Sequence, residues 1–439
     1  MAKKQSKQIK VQSVKGMRDI LPGEQPSWDL VRDKVKNFGQ NYGFERIDTP
    51  ILEFTNLFKR TVGENTDIVS KEMYSFVTLG GDKLSLRPET TASVARSYIE
   101  HGMLNLPQPV KLYYLGPQFR HDKPQAGRYR QFWQFGFEAI GDSDPVIDAE
   151  LISISYHLLK EIGLDIEIHV NSIGDSECRS HYLKVLKQYY QGHRKDLCAD
   201  CKDRLNKNTL RLLDCKNKKC ENLAAEAPQI IDHLCDECKN HFMLVLEYLD
   251  ELDIKYTLNP KIVRGLDYYT KTTWEIMEIG QEGKLQALGG GGRYDDLISL
   301  IGGRPTPAVG FAMGIDRVIA KMQELKIKVD KPNSRDIYIA QLGIEARKKA
   351  LNLVEELRAT GFQVASNMSK KGLKDQLELA NKKGVKYTLI IGQKEISDST
   401  ILIRDMESGV QEIIDIKKVK NEIRKRLDSY EAKSIKLKK

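Results

Sequence analysis

The stretch FRHDKPQAGRYRQFWQFGFE, residues 119–138, decides the fold and carries most of the chemistry that the sequence predicts. Over residues 130–140 the side chains alternate as in a strand, where successive residues point to opposite faces. One face is apolar and suits a core: Trp133, Phe135 and Phe137. The other face mixes an aromatic ring, an amide, a glycine and a carboxylate: Phe132, Gln134, Gly136 and Glu138. Burying this second face costs free energy unless a polar ligand meets it.

Residues 110–120 are predicted to form a second strand, and the short connection makes the pair antiparallel. Its ligand-facing side holds four residues: Tyr114, Gly116, Gln118 and Arg120. Glycines at facing positions of the two strands leave room for a flat group to lie against the backbone. The loop between the strands adds Lys123 and Arg128 to the cations of its two ends. This concentration of charge suits a triphosphate, although a solvated basic hairpin has the same composition.

The rest of the first 330 residues is predicted to be one sheet domain that a helical segment interrupts. Before the hairpin we expect an amphipathic helix at residues 27–41 and a strand at residues 44–51, closed by Pro50. Residues 172–253 have helical patterns and many charges. Strand-like runs return at residues 263–279 and around the glycine cluster 289–292, for which a simple loop is the alternative.

Beyond a Lys-Pro-Asn-Ser linker at residues 331–334, strand and helix patterns alternate. The strands are expected at residues 336–342, 362–364, 387–392, 401–406 and 410–416. The helices are expected at residues 345–360 and 373–383. This alternation predicts a compact α/β domain.

The composition, 40% hydrophobic and 30% charged, is that of an ordinary globular protein. No segment approaches the roughly 18 to 20 apolar residues that span a bilayer, and no apolar segment follows the basic N-terminus. We therefore expect a cytoplasmic protein with no membrane partner. The net charge is +9, and residues 417–439 hold ten Lys and Arg against three Asp and Glu. This tail is either a solvated helix or an electrostatic footprint for a polyanion.

Six of the seven cysteines lie within residues 198–238, and a cytoplasmic location argues against a disulfide framework. Their spacings are CxxC at 198–201, Cx4C at 215–220 and CxxC at 235–238. Paired CxxC elements resemble a structural zinc site, which needs four ligands. Six cysteines are candidates, so the sequence leaves the ligand set open, and the two CxxC pairs give one possible set: Cys198, Cys201, Cys235 and Cys238. Free thiols are the alternative, and we interpret Cys178 as an ordinary buried thiol.

Several motifs resemble those of one enzyme family. Residues 119–138 resemble motif 2 of class II aminoacyl-tRNA synthetases, in the form typical of histidyl-tRNA synthetases. Residues 42–50 (YGFERIDTP) resemble motif 1, and residues 308–317 (AVGFAMGIDR) resemble motif 3. RGLDYYT at residues 264–270 and GGGGRYD at residues 289–295 resemble the two histidine-specific signatures of the family. The resemblance covers nearly the whole chain.

This resemblance implies an α+β fold, with an antiparallel-sheet catalytic domain, a helical insertion and a C-terminal α/β anticodon-binding domain. The catalytic domain would span residues 1–171 and 254–330, the insertion residues 172–253, and the anticodon-binding domain residues 334–439. The insertion would lean over the acceptor arm of tRNA(His). Motif 1 builds the dimer interface in this class, so a homodimer is also implied.

For ATP, the resemblance implies roles for four residues at the hairpin and after motif 3. Arg120 would hold the α-phosphate, Phe132 would stack on adenine, and Arg128 and Arg317 would also contact ATP, with Mg²⁺ as the accompanying ion. Arg264 would contact the α-phosphate and act in catalysis together with Arg120. A structural ion pair is the alternative for Arg264. Asp122 stands where the class commonly has Glu, which puts that contact with ATP in doubt.

For L-histidine, the family pocket maps onto nine residues: Glu89, Thr90, Thr91, Arg120, Gln134, Glu138, Arg264, Tyr268 and Tyr269. Glu89 and Gln134 can take the α-amino group. Glu138 can accept a hydrogen bond from one imidazole nitrogen while a tyrosine hydroxyl meets the other. Such a site rejects analogues because its buried polar groups would be left unpaired. As a bare fragment, Glu89 would instead be interpreted as a helix cap.

The implied reaction joins histidine to tRNA(His) through histidyl-adenylate. One rival is an inactive paralogue of the family, the regulatory subunit of ATP phosphoribosyltransferase, which lacks the anticodon-binding domain. Another rival is a synthetase of the same subclass for proline or threonine. The histidine signature at residues 264–269 and Glu138 argue against the second rival.

Overall fold

The computed structural model describes residues 11–64, 66–123, 127–215, 217–262, 266–279, 285–329 and 336–437. The chain divides into two compact units, Met1–Lys328 and Val329–Lys439. Among the helices that the structure describes, none is long and apolar enough to cross a membrane.

The first unit is built on antiparallel sheet. Its strands are β1 (Glu45–Arg46), β2 (Leu52–Phe54), β3 (Ser75–Val77), β4 (Lys83–Leu86), β5 (Val110–Phe119), β6 (Gln131–Ile140), β7 (Ile166–Ser172), β8 (Tyr256–Leu258), β9 (Thr270–Ile279), β10 (Leu285–Arg293) and β11 (Ala308–Gly314). An eight-stranded sheet has the order β1-β5-β6-β11-β10-β9-β7-β8, and β2-β4-β3 form a small second sheet. The pairs from β5 to β7 are antiparallel, and β1 and β8 are added in parallel at the two edges.

Helices cover the sheet and fill the interval between β7 and β8. They are α1 (Gln25–Asn41), α2 (Thr55–Val62), α3 (Thr91–Glu100), α4 (Pro145–Ile162), α5 (Ser176–Gly192), α6 (Ala199–Lys207), α7 (Lys218–Ala225), α8 (Asp236–Glu251), α9 (Leu297–Leu300) and α10 (Ile315–Glu324). The four helices α5 to α8 make up most of the segment between the two strands. The predicted helical character of this segment is therefore confirmed.

The hairpin of β5 and β6 has the predicted strands and the predicted faces. Phe137 is fully buried, stacked at 5.2 Å on Phe311 and at 5.7 Å on Tyr113. On the opposite face, Gly116 lies across from Gln134 in the register of the pair. The space beside Gly116 that the sequence analysis assigned to a flat ligand is occupied by the guanidinium of Arg87, which a Cβ atom there would overlap.

The strand expected at residues 44–51 is wrong in extent. Glu45 and Arg46 pair with β5, the backbone N–H of Ile47 adds one hydrogen bond to Tyr113, and Leu52–Phe54 belong to the small sheet. The intervening carbonyls of Thr49 and Pro50 accept hydrogen bonds from Nη1 of Arg87, at 2.8 and 3.4 Å, instead of pairing with a strand.

The glycine cluster lies in strand β10 rather than in a loop. It runs between β9 and β11, and a Cβ on Gly291 would overlap the Gly310 carbonyl and lie 2.5 Å from the Trp274 ring. Glycine is required here because backbone and side-chain atoms of the two neighbouring strands fill the space that a side chain would need.

The second unit is an α/β domain, as predicted. Its elements are β12 (Ile337–Gln341), α11 (Ile344–Ala359), β13 (Val364–Ser366), α12 (Leu373–Lys382), β14 (Tyr387–Ile391), α13 (Gln393–Ser397), β15 (Thr400–Asp405), β16 (Gln411–Asp415) and α14 (Val419–Leu437). The sheet order is β13-β12-β14-β15-β16, parallel over the first three strands and antiparallel beyond. β12 and β14 are buried along their whole length, as expected for parallel strands covered on both faces. The linker predicted at residues 331–334 lies outside the described residues.

Candidate active site

The N-terminus of α3 lies over the polar face of the hairpin. Oε2 of Glu89 accepts a hydrogen bond from the backbone N–H of Thr91 at 2.6 Å, and Oε1 accepts one from Ala92 at 3.0 Å. Glu89 therefore caps the helix, which was the alternative interpretation of this residue. Burial raises the pKa of Glu89, and the two backbone hydrogen bonds oppose that shift.

Glu138 reaches the same space from β6. Its Oε1 accepts a hydrogen bond from the Thr91 hydroxyl at 2.7 Å, and its Oε2 accepts one from the Tyr294 hydroxyl at 2.5 Å. The residue is 1% exposed, and burial raises the pKa of Glu138 to about 8. Gly310 on the neighbouring strand makes room for the carboxylate, because a Cβ atom there would overlap Oε2.

Tyr294 was not among the predicted site residues. The residue lies in the GGGGRYD signature, directly after β10, but only the glycines of that signature were interpreted. The signal that could have found it is a hydroxyl donor at the end of a strand that runs beside the polar face.

Two further tyrosines line the space. The rings of Tyr268 and Tyr269 lie 4.8 Å apart, and the ring of Tyr268 meets that of Tyr294 edge-on at 5.7 Å. All three are buried. Burial raises the pKa of Tyr268, and the neighbouring Tyr269 and Glu89 act in the same direction. The structure therefore brings these tyrosines together with the carboxylates of α3 and β6.

Two glutamine side chains on this face have an amide oxygen for which the described part of the chain offers no hydrogen-bond partner. Nε2 of Gln118 donates to the Thr90 hydroxyl, at 2.5 Å, but its Oε1 has no hydrogen-bond partner among the described residues. The same holds for Oε1 of Gln134. Buried polar atoms are nearly always paired, so these two point to a polar ligand that completes them.

Three guanidinium groups gather at the open end of the hairpin. Nε of Arg120 donates to the Pro88 carbonyl at 2.8 Å, and its guanidinium lies 5.5 Å from the Phe132 ring centroid. Nη1 of Arg317 donates to the Ala287 carbonyl at 2.6 Å. Burial lowers the pKa of Arg317, and the positive charges of Arg128 and Arg120 lower it further. Like charges this close are costly unless an anion such as a polyphosphate joins them.

The Asp122 carboxylate stays within its own loop. It accepts a hydrogen bond from the Lys123 backbone N–H at 2.6 Å and pairs with Nη1 of Arg128 at 3.4 Å. Asp122 therefore has its partners within the loop, which agrees with the expectation that its short side chain puts a contact with ATP in doubt. Arg264, the predicted catalytic arginine of the first histidine signature, lies outside the described residues.

A buried ion pair lies next to this site. Arg293, the neighbour of Tyr294, is fully buried and pairs with Asp148 of α4 at 2.5 Å. Its remaining donors meet the carbonyls of Asp142 and Asp144, at 2.9 and 3.1 Å. Nε2 of His241 lies 3.3 Å from the same carboxylate. This network fixes the backbone that presents the Tyr294 hydroxyl.

Comparison with known proteins bears on this geometry. A sequence model of histidyl-tRNA synthetase matches residues 16–318, and a model of the anticodon binding domain matches residues 336–426. The histidine–tRNA ligase of Dehalococcoides mccartyi is 45% identical over 417 residues, which are 95% of this chain and 100% of that protein. The chain belongs to the histidyl-tRNA synthetase family. The histidine–tRNA ligase of Halothermothrix orenii is also 45% identical, over 91% of this chain and 96% of that protein.

The solved structure of the apo histidyl-tRNA synthetase of Staphylococcus aureus agrees with the fold. It has a TM-score of 0.80 and 35% identity, and covers 94% of this chain and 100% of its own. The predicted fold class, a class II catalytic domain with a C-terminal anticodon-binding domain, is confirmed for this member of the histidyl-tRNA synthetase family. The anticodon-binding match also weighs against the regulatory paralogue, which lacks that domain.

The cysteine prediction needs correction. The structure does not bring the two CxxC pairs together. Instead, four thiols form one cluster: Cys198, Cys201, Cys215 and Cys220. A carboxylate and three thiols form another: Asp175, Cys178, Cys235 and Cys238. Cys178 is therefore not an isolated buried thiol. The pairs separate because α6 packs beside the segment leading into α7, while the N-terminus of α8 meets that of α5.

Proposed function

We propose that this chain activates L-histidine with ATP and transfers the histidyl group to tRNA(His). In the first step a carboxylate oxygen of histidine attacks the α-phosphorus, and pyrophosphate leaves. In the second step the terminal ribose hydroxyl of the tRNA attacks the acyl carbon, and AMP leaves. The observation that carries this proposal is Glu138, a buried carboxylate with two hydroxyl donors and, among the described residues, no ion pair, on the same strand face as amide oxygens that these residues leave unpaired.

Glu138 supports the choice of histidine. A carboxylate offers about four lone-pair positions, and the hydroxyls of Thr91 and Tyr294 occupy two of them. An imidazole N–H can therefore still donate to it, while the hydroxyl of Tyr268 or Tyr269 meets the second ring nitrogen. Gln134 and Glu89 would take the α-amino group, with Thr90 and Thr91 holding the start of α3 in place.

The arginines support the use of ATP. We propose that Arg120 holds the α-phosphate, that Arg128 and Arg317 take the outer phosphates, and that Phe132 stacks on adenine. Fixed cations stabilise the charge that develops at the α-phosphorus and need no reorganisation during the reaction. Mg²⁺ would accompany the triphosphate. Arg264 remains our proposed second catalytic cation.

The test is ATP–pyrophosphate exchange measured with each of the twenty amino acids. We expect exchange with histidine and none with the others. Exchange with another amino acid, or with none, would overturn the proposal. For Arg264, we expect Arg264→Ala to reduce exchange severely while histidine binding weakens much less, and equal losses would remove its catalytic role.

We further propose the predicted division of labour along the chain. Residues 1–171 and 254–330 would form the catalytic domain, residues 172–253 would approach the acceptor arm, and residues 334–439 would bind the anticodon. The Lys- and Arg-rich residues 417–439 support the last assignment, because neutralised phosphates release counterions. A cytoplasmic location remains part of this proposal, since the charging reaction uses cellular tRNA and ATP.

We propose a homodimer through motif 1 and the small sheet. Exposed apolar side chains concentrate there: Ile51, Leu52, Phe54, Phe76 and Val77. Contiguous exposed apolar surface of this kind marks interaction sites. Sedimentation should show a dimer that Phe54→Asp weakens and that Leu325→Asp, an exposed leucine elsewhere, does not. A Phe54→Asp dimer of unchanged strength would contradict this interface.

A structural zinc ion also remains part of the proposal, with the ligand set corrected. The four thiols Cys198, Cys201, Cys215 and Cys220 lie within 4.8 Å of one another, and Sγ of Cys198 is 3.8 Å from Sγ of Cys215. Tetrahedral zinc with Zn–S bonds of about 2.3 Å separates its sulfurs by about 3.8 Å. The zinc would hold α6 and α7 together.

A further inference from the structure

A second cluster of metal-binding side chains lies at the base of the helical insertion. One carboxylate oxygen and three sulfurs lie within 4.8 Å of one another: Asp175, Cys178, Cys235 and Cys238. Asp175 and Cys178 precede Cys235 and Cys238 by about 60 positions in the sequence. They come together where the first and last helices of the insertion begin.

The local structure of the cluster is the same on both of its sides. Asp175 is the N-cap of α5 and Cys178 is the third residue of that helix. Cys235 is the N-cap of α8 and Cys238 is its third residue. Helix N-termini present unpaired N–H groups and a positive partial charge, which favour thiolates and carboxylates. Both halves therefore place their ligand atoms beside helix N–H groups, whose partial positive charge can offset the negative charge of metal ligands.

The hydrogen bonds orient the ligand atoms toward a common point. Oδ1 of Asp175 accepts the Cys178 backbone N–H at 2.8 Å, which leaves Oδ2 facing the sulfurs of Cys235 and Cys238 at 3.7 and 3.4 Å. The Cys235 backbone N–H donates to Sγ of Cys178 at 3.0 Å. Backbone N–H groups thus support the carboxylate and a thiol from outside the cluster, as partners of metal ligands commonly do.

All four residues are suitable zinc ligands, and the cysteines are free thiols. Cys178 and Cys238 are 3% and 0% exposed. Their thiols are therefore shielded from water and lie next to the carboxylate of Asp175. We propose that Asp175, Cys178, Cys235 and Cys238 bind a second structural zinc ion, separate from the one in the four-thiol cluster. This site goes beyond the proposed function, because it does not depend on which amino acid is activated.

The position of the site suggests what the ion does. The carbonyl of Gly174, next to Asp175, accepts the backbone N–H of Lys271 at 2.8 Å, and Nζ of Lys271 pairs with Glu237 at 2.9 Å. Lys271 follows Tyr269 by two residues. A zinc ion here would fix the base of the insertion against β9. This strand begins directly after Tyr268 and Tyr269, which we propose contact histidine.

The test counts zinc in the purified full-length chain by elemental mass spectrometry. We expect two ions per chain, one after Cys215→Ser, one after Cys238→Ser, and none when both are changed. Asp175→Asn is the sharper variant, since asparagine caps a helix about as well as aspartate but lacks the anionic ligand. We expect it to lose one ion at a chelator concentration that leaves the wild type loaded. Asp144→Asn, the same change at the N-cap of α4, should keep both ions.

A measurement on the unmodified protein covers the case in which variants fail to fold. Alkylation of the native chain, followed by peptide mapping, should leave Cys178, Cys235 and Cys238 protected until a chelator is added. A zinc content that neither Cys238→Ser nor Asp175→Asn lowers below that of the wild type would overturn the proposal. So would rapid alkylation of these three cysteines before chelation, or a disulfide between Cys235 and Cys238.

Discussion

Two buried carboxylates of the same domain have opposite electrostatic surroundings. Asp148 is paired with Arg293 at 2.5 Å, and although burial opposes it, the charge of Arg293 holds the pKa of Asp148 below its usual value. Glu138 is equally buried but is met by hydroxyl groups, and burial raises its pKa to about 8. The first charge is compensated within the protein and serves the fold. The described residues place no cation against the second charge, which is why we propose that it is available to a ligand.

The electrostatic surroundings therefore distinguish a carboxylate that stabilises the fold from one that could bind a ligand, and this distinction does not require the ligand to be known. Strongly perturbed pKa values cluster at functional sites, and the raised pKa of Glu138 is such a perturbation. Arg293 and Tyr294 are adjacent in sequence, yet Arg293 pairs with the structural carboxylate of Asp148, and Tyr294 donates to the carboxylate of Glu138 that we propose binds histidine. The ion pair thereby positions the hydroxyl that orients Glu138.

The largest effect is expected on the structural side. Asp148→Asn removes the nearest counter-charge of the buried Arg293, whose other acidic partner is Asp295 at 3.3 Å, so the free energy of unfolding should fall by about 3–5 kcal/mol. Urea unfolding measures it. Asp144→Asn is the control, because it changes an exposed N-cap and should alter stability by less than about 0.5 kcal/mol. Equal stability of both variants would mean that the buried pair contributes nothing.

The functional side predicts a dependence of stability on pH. The folded pKa of Glu138, about 8, lies above the ordinary 4.5, so its neutral form favours folding and this contribution is lost as pH rises from about 4.5 to 8. Relative to Glu138→Gln, the wild type should lose up to about 1.4 kcal/mol per pH unit in that window. Asp148 has a lowered pKa, so its contribution is lost only below about pH 4. A stability difference that is flat from pH 5 to 8 would contradict the uncompensated burial of Glu138.

A smaller effect tests how Glu138 is held. Tyr294→Phe removes the donor to Oε2, and we expect the KM for histidine in pyrophosphate exchange to rise about fivefold to tenfold, equivalent to roughly 1 kcal/mol. Tyr182→Phe removes a comparable hydrogen bond, to the Pro228 carbonyl in the insertion, and should leave that KM unchanged. Equal changes in both variants would point to a general loss of packing instead.

The sequence predicted the hairpin well because its information is local. Alternation over residues 130–140 assigns each side chain to a face, and burial of Phe135 and Phe137 follows. The strand at residues 44–51 was overextended because Arg87, which lies far away in sequence, takes the carbonyls of Thr49 and Pro50.

The cysteines show the same limit at longer range. Spacing identifies each CxxC element, but tertiary packing decides which elements meet, and the carboxylate of Asp175 had no spacing signal at all. Tyr294 was missed for a related reason: its role depends on the register of β10 with β11, where Gly310 opens the space for Glu138.

The most direct test of the central claim is a calorimetric titration of L-histidine into the wild type and into Glu138→Gln. If Glu138 is the acceptor for the imidazole N–H, the variant should bind histidine about 100-fold more weakly while its stability at pH 7 is equal or higher. An unchanged dissociation constant in a folded Glu138→Gln protein would contradict the account.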